Sequence, residues 1–213
     1  MKKIKKPIHN IEMDPIIGDI IIPEDNFRIE YSAFSGNTIV NKYSYRVVFD
    51  SCIIDKMTLT NLECNRFEFI DCIFTNCDLS NTTFNNCTFI RSEFKHCKMT
   101  GSHIIESFIS HVSFANIIAD YIDIAHSKIQ IVSFTECSMK KASWFENQLK
   151  DLIFNSVDFE HAEFYKTSLK DIDLSTSDIS SLRINKESIE GAIIDSFQAE
   201  QVCYLLGIKI KDR

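Results

Sequence analysis

Glycine and proline, the residues with which chains usually turn corners, are scarce: five and three in 213 residues, with all three prolines inside the first 26. So few glycines leave no P-loop and no G-x-G-x-x-G, which excludes a backbone cradle for nucleotide phosphates. No C-x-x-C and no Cys–His pair at metal-ligand spacing occurs among the eight cysteines and six histidines, so no metal site is expected. A secretory signal is missing as well. The basic start Met1-Lys2-Lys3 is followed only by the apolar stretch 16–22, which Gly18 and Asp19 interrupt and which is too short for an h-region or a membrane span. The expectation is a soluble, cytoplasmic protein with no membrane contact.

What is present is a period of five. From Phe49 to Ile194 every fifth residue is apolar, thirty positions in a row without an insertion. At 45% apolar content, such a run arises by chance with a probability on the order of 10⁻¹⁰. Helices repeat at about 3.6 and strands at 2, so neither accounts for it. A chain that turns a corner every five residues does: four sides close a square coil of twenty residues, and stacked coils share one interior. At about 4.8 Å per coil, seven and a half coils make a rod about 36 Å long. Residues twenty apart stack, so Phe74, Phe94, Phe114, Phe134 and Phe154 are expected to form one aromatic ladder.

The position two before each centre is mostly small (Cys52, Cys72, Cys77, Thr82, Cys87, Ser92, Cys97, Ser102, Ser107), as the inner corner of a narrow coil requires. Six of the eight cysteines sit there. They read as reduced thiols serving as small apolar residues. The stacked pairs Cys52/Cys72 and Cys77/Cys97 lie near enough to bridge, but their parallel Cβ vectors give poor disulfide geometry.

Cys77-Asp78-Leu79-Ser80-Asn81, Val157-Asp158-Phe159-Glu160-His161, Ala162-Glu163-Phe164-Tyr165-Lys166 and Ile172-Asp173-Leu174-Ser175-Thr176 follow a pattern of small residue, acid or amide, Leu or Phe, then two variable residues. In this the chain resembles the pentapeptide-repeat proteins. The resemblance implies an all-β solenoid, a right-handed quadrilateral β-helix, over residues 27–195. Residues 1–26 read as an N-terminal cap or lead-in over the first coil, and 196–213 as a C-terminal helix and strand. Ser196 is expected as the N-cap, Phe197 to Leu206 as the helix, Gly207 as its stop and residues 208–211 as a short strand. Ser44 interrupts the five-residue pattern once without shifting its phase, as a weak coil, a turn or a hinge.

That ending also resembles the quinolone-resistance and fluoroquinolone-protection branch of the family, through Gln201, Leu205, Leu206, Gly207, Ile208 and Ile210. The resemblance implies a homodimer joined end to end, with Phe197, Val202, Leu205, Leu206, Ile208 and Ile210 at the interface, and DNA gyrase or topoisomerase IV as partner. Some members of that branch carry projecting loops; the unbroken count from Phe49 to Ile194 fits the loop-free kind.

No enzyme is expected. His96, His111, His126 and His161 each follow a centre by two and fall on four different sides, and no Ser or Cys has a base beside a pocket. No cofactor is called for. Charge is more informative. Residues 145–200 hold twelve acids against five bases and so carry all of the net −7. Two adjacent sides of the last coils hold Asp158, Glu160, Asp173, Asp178 and Asp195 with no Lys or Arg. Outward carboxylates serve equally as a solvated surface and as a DNA-like surface for a basic groove. Two functions follow: a DNA mimic that protects a topoisomerase from quinolones or a natural poison without binding nucleic acid itself, or a repeat scaffold with another partner.

Overall fold

The computed structural model describes residues 3–8, 13, 15–16, 20, 26–36, 44–205 and 207–211. It is a quadrilateral β-solenoid. Three sides are ladders of parallel strands in twenty-residue register, such as Phe74 opposite Phe94 and Phe84 opposite Ile104. The faces are named here by one central residue each. The Phe84 face forms an eight-stranded sheet, while the Phe89 and Phe74 faces share a twelve-stranded one. Three eight-residue strands, Phe108–Ala115, Lys128–Thr135 and Gln148–Asn155, round the corner between those two faces and join them. The Leu79 face is held by single parallel bridges, Thr58 to Asp78 through Asp158 to Asp178.

The corners explain how the chain turns with so little glycine. Among the described residues twenty-eight non-glycines have φ between 47° and 67°, all at multiples of five from one another and, within the repeats, two after the apolar centres. Among the described residues, Gly36, Gly101 and Gly191 supply glycine at such corners. Left-handed backbone costs an L-residue about 1–2 kcal/mol and asparagine less. Asn61, Asn76, Asn81, Asn86 and Asn116 take this position accordingly. Most corner N–H groups donate to a carbonyl one coil on: Asn76 to that of Lys95 at 3.0 Å, Asn116 to that of Thr135 at 2.9 Å. At Gly101 (φ 66°) a Cβ would stand 2.6 Å from Asn81 Oδ1, so a side chain there requires the Asn81 amide to swing aside.

The interior is a column of stacked rings. Phe74, Phe94, Phe114, Phe134 and Phe154 follow one another at 4.4, 4.9, 4.8 and 5.3 Å, with interplanar angles of 22° or less. Phe49, Phe69 and Phe89 form a second stack, and Trp144 on Phe164 a third.

Buried corner N–H groups need acceptors, and hydroxyls in the next coil supply them. Cys87 donates to Ser107 Oγ, Ser107 to Ser127 Oγ, Ser127 to Asn147 Oδ1 and Asn147 to Thr167 Oγ1, all at 2.9–3.1 Å. All eight cysteines are free thiols. The Sγ atoms of Cys52, Cys72, Cys77 and Cys97 point at backbone carbonyls. Burial raises the thiols of Cys64, Cys72 and Cys137 and pushes that of Cys87 up to about 12, which keeps them neutral and unreactive.

Both ends depart from the sequence expectations. The last side of the Phe89 face is a helical turn, α1 (Lys186–Ile189), rather than a strand, although Ile189 stays buried in register. A second helix, α2 (Ser196–Leu205), closes the rod. Its N-cap is Asp195, not Ser196. Gln198 N–H donates to Asp195 Oδ1 at 2.8 Å while Asp195 N–H donates to Gln198 Oε1 at 3.0 Å, a reciprocal capping box. Gln198 Nε2 also donates to the carbonyls of Leu174 and Ser177, locking the cap onto the last coil.

Residues 208–211 form no strand. A strand needs an edge to pair with, and this segment instead turns back on α2, where the Ile208 N–H donates to the Cys203 carbonyl at 2.9 Å. At the other end the two-residue strand Pro15–Ile16 pairs with Ala33–Phe34, and Ile20 enters the core. Residues 3–8, expected over the first coil, instead reach Asp71 and His111 further along the rod. Residues 41–43, beside the interruption at Ser44, lie outside the described residues.

Candidate functional site

The acidic residues expected to form one surface fall into different chemical situations. On the Leu79 face, Asp158 Oδ1 accepts the Glu160 N–H at 3.0 Å, and Asp178 Oδ1 accepts both the N–H (2.8 Å) and the hydroxyl of Ser180. On the adjoining Phe74 face, Asp173 Oδ1 accepts the Ser175 N–H at 2.8 Å. Each is an Asx turn, in which a side chain two residues back tightens the corner. The acidic residue in the repeat pattern thus has a local backbone role before it has a surface one. Hydrogen bonds from Ser175 and Ser180 hold the carboxyls of Asp173 and Asp178 below the usual carboxylate range, so both are ionised at neutral pH.

Asp158 and Glu160 are not free of bases. Lys140, one coil earlier on the same face, bridges Asp158 Oδ2 at 2.9 Å and Glu160 Oε2 at 2.7 Å. The two carboxylates raise the Lys140 ammonium and keep it charged, Glu160 most. The expectation of two base-free sides holds for the last coils alone and fails when the preceding coil is stacked against them. Asp195, the fifth acid, is the cap of α2. Asp173 and Asp178 remain as adjacent-face carboxylates with no ion-pair partner among the described residues.

The opposite flank differs. Tyr165 stacks on Phe145 outside the sheet at 5.5 Å, and Lys166 lies over Tyr165 while pairing with Glu146 at 2.6 Å. His126 and His103 each face a carboxylate, at 3.4 Å from Glu146 and 3.7 Å from Asp123. Among the described residues no three His, Cys, Asp or Glu side chains converge to hold a metal.

At the C-terminal end, Val202 is buried against the rod as part of the cap. Phe197 is 86% exposed, and Leu205, Ile208 and Ile210 are also exposed, joined by Ile193 and Tyr204, which sequence reasoning did not single out. Leu206 lies outside the described residues. No helix among the described residues is long and apolar enough to cross a membrane.

Two family models match the chain: a pentapeptide repeat region over residues 87–164 and pentapeptide repeats in eight copies over residues 68–104. No curated protein matches it. Among solved structures it is similar to QnrB1, a plasmid-mediated fluoroquinolone resistance protein. Against a trypsin-treated variant of QnrB1 the identity is 18%, covering 92% of this chain and all of that one, with a TM-score of 0.36. Against full-length QnrB1 the identity is 17%, with the same coverages and a TM-score of 0.34. HetL, a pentapeptide repeat protein involved in heterocyst differentiation regulation from the cyanobacterium Nostoc sp. strain PCC 7120, is 10% identical, with 87% of each chain covered and a TM-score of 0.30.

Proposed function

We propose, for a chain that belongs through residues 68–164 to the pentapeptide-repeat family, the role of a non-enzymatic, dimeric DNA mimic. Its partner on this reading is a type II topoisomerase, DNA gyrase or topoisomerase IV, which it shields from quinolones or a natural poison. The observation that carries the reading is the pair Asp173 and Asp178, ionised carboxylates fixed by Asx turns on two adjacent faces next to an apolar end. Fixed negative charge on a narrow rod attracts a basic groove as DNA does, without a scissile phosphate. The exposed Phe197, Leu205, Ile208 and Ile210 supply the end-to-end contact, in which a second copy offers segment 208–211 an edge to pair with.

The Lys140 clasp on Asp158 and Glu160 favours the second reading, a repeat scaffold with another partner, because it removes charge from half of the acidic surface. One set of variants separates the two. Asp158→Asn, Asp173→Asn and Asp178→Asn together keep the Asx acceptors and remove only charge. On the topoisomerase reading the triple variant loses gyrase binding and protection at least tenfold, and binding by the native protein falls steeply with salt. A triple variant that protects gyrase at native strength leaves the scaffold reading.

A further inference from the structure

Residues 3–8 belong to no helix or strand, yet two long-range bonds tie them to the rod. The Lys5 N–H donates to His111 Nδ1 at 3.2 Å, and the Ile8 N–H to Asp71 Oδ1 at 3.3 Å. Asp71 and His111 are corner residues on the edge between the Phe89 and Phe74 faces, two coils or about 9.6 Å apart. Three residues of extended chain span about 10 Å. The segment therefore runs lengthwise, across the coils rather than with them.

Burial is consistent with this track. Asp71, Glu93 and Ser110 lie on outward rows of the register yet are only 6%, 8% and 5% exposed, whereas Asp171, at the same corner five coils on, is exposed. Side chains of the rod share in this cover: Arg91 donates to Asp71 at 2.8 and 2.6 Å, Lys95 pairs with Glu93, and Gln130 donates to Ser110 at 3.2 Å. Outward Ile70, Ile73 and Ile90 flank this track, each half-buried. The segment itself is lightly held: Ile8 is 60% exposed, and both anchoring bonds use its backbone N–H groups. A site that reads backbone donors accepts any extended chain of suitable shape.

We propose that residues 3–8 are a displaceable strap, a built-in peptide ligand occupying a docking strip along the Asp71–His111 corner. Once the strap lifts, the strip takes an extended basic-apolar segment of the strap's own kind from another protein. The inference is independent of the acidic residues Asp158, Asp173 and Asp178, which lie in the last coils of the rod.

The test uses the full chain. Lys5→Pro with Ile8→Pro removes both anchoring donors, and the probe is a fluorescein-labelled peptide of residues 1–10, followed by anisotropy. The peptide is expected to bind the double variant at least tenfold more tightly than the native protein, and a scrambled peptide of equal charge at least tenfold more weakly than the ordered one. Equal binding to native and variant protein, no binding to the variant, or equal binding of the scrambled peptide would each overturn the proposal. Hydrogen exchange on the native protein gives a second reading that no folding defect can blur. The amides of Lys5 and Ile8 should exchange at least a hundredfold faster than those of Asn76 and Asn116 in the coils. Exchange at the coil rate would make the segment a fixed part of the fold and sink the idea.

Discussion

Asn116 shows how much a residue's backbone can outweigh its exposure. It points outward, and by sequence its replacement costs almost nothing. Its φ of 54° makes Asn116→Ala cost about 1 kcal/mol instead. The reverse change at Ser156 (φ 55°), to asparagine, should stabilise by about 0.5 kcal/mol. Phe114, between two rings at 4.9 and 4.8 Å, belongs to the other extreme. Phe114→Ala leaves a cavity that flanking coils cannot close, for about 3–5 kcal/mol, whereas Lys98→Ala on the exposed surface stays within about 0.5 kcal/mol. Urea unfolding of the four variants measures all of these, and equal losses for Phe114→Ala and Lys98→Ala would refute the five-residue register. Asp173 and Asp178 give a pH test. Their folded values lie below the unfolded value of about 3.9. Their hydrogen bonds therefore add stability that is fully present above that value and is lost as pH falls through the folded one. Carbon-13 titration should find both midpoints below about 3.9, and Ser180→Ala should move that of Asp178 upward.

At the scale of elements, the coils were legible in the sequence because one periodicity controls both burial and turn. Phe74 to Phe154 stack as residues twenty apart must, and the cysteines fill inner corners as small residues do. What escaped that reading depends on contacts between parts that the period does not relate. Asp195 and Ser196 are both good N-caps, and only the position of Gln198 against the Leu174 and Ser177 carbonyls decides for Asp195. Lys140 lies one coil before the acid-rich stretch 145–200, and only the stacking of coils brings it onto Asp158 and Glu160. Asn147 looks too large for an inner corner, yet its amide accepts from Ser127 and donates to Ile124. The capping box makes a prediction of its own: Asp195→Ala and Gln198→Ala should each cost about 1 kcal/mol. The double variant should cost less than their sum, since each removes the other's partner. Additive losses in a thermal or urea double-mutant cycle would show that the two residues act separately.

For the whole molecule, charge and assembly are the variables to test. Lys140→Gln frees Asp158 and Glu160 from their shared cation. If the acidic faces are the docking surface, it should tighten gyrase binding several-fold at low salt and less at physiological salt, as surface plasmon resonance would record. Unchanged affinity at both salt levels would place the docking surface elsewhere. Phe197→Asp with Ile208→Asp should turn the expected dimer into a monomer in sedimentation, with the rod's circular dichroism unchanged. A native protein that sediments as a monomer at micromolar concentration would defeat the end-to-end assembly.

The strict twenty-residue register also has a mechanical consequence. Every coil is held to its neighbours by the same kind of ladder, as in Phe94 between Phe74 and Phe114, so a tether pulling on the two ends loads the terminal coil first and peels the rod turn by turn. Each turn releases twenty residues, about 70 Å of contour, for the loss of about 4.8 Å of stack. An optical trap should therefore record a staircase of nearly equal extensions of about 65 Å, making the rod a spring of discrete, countable length rather than a domain that fails at once.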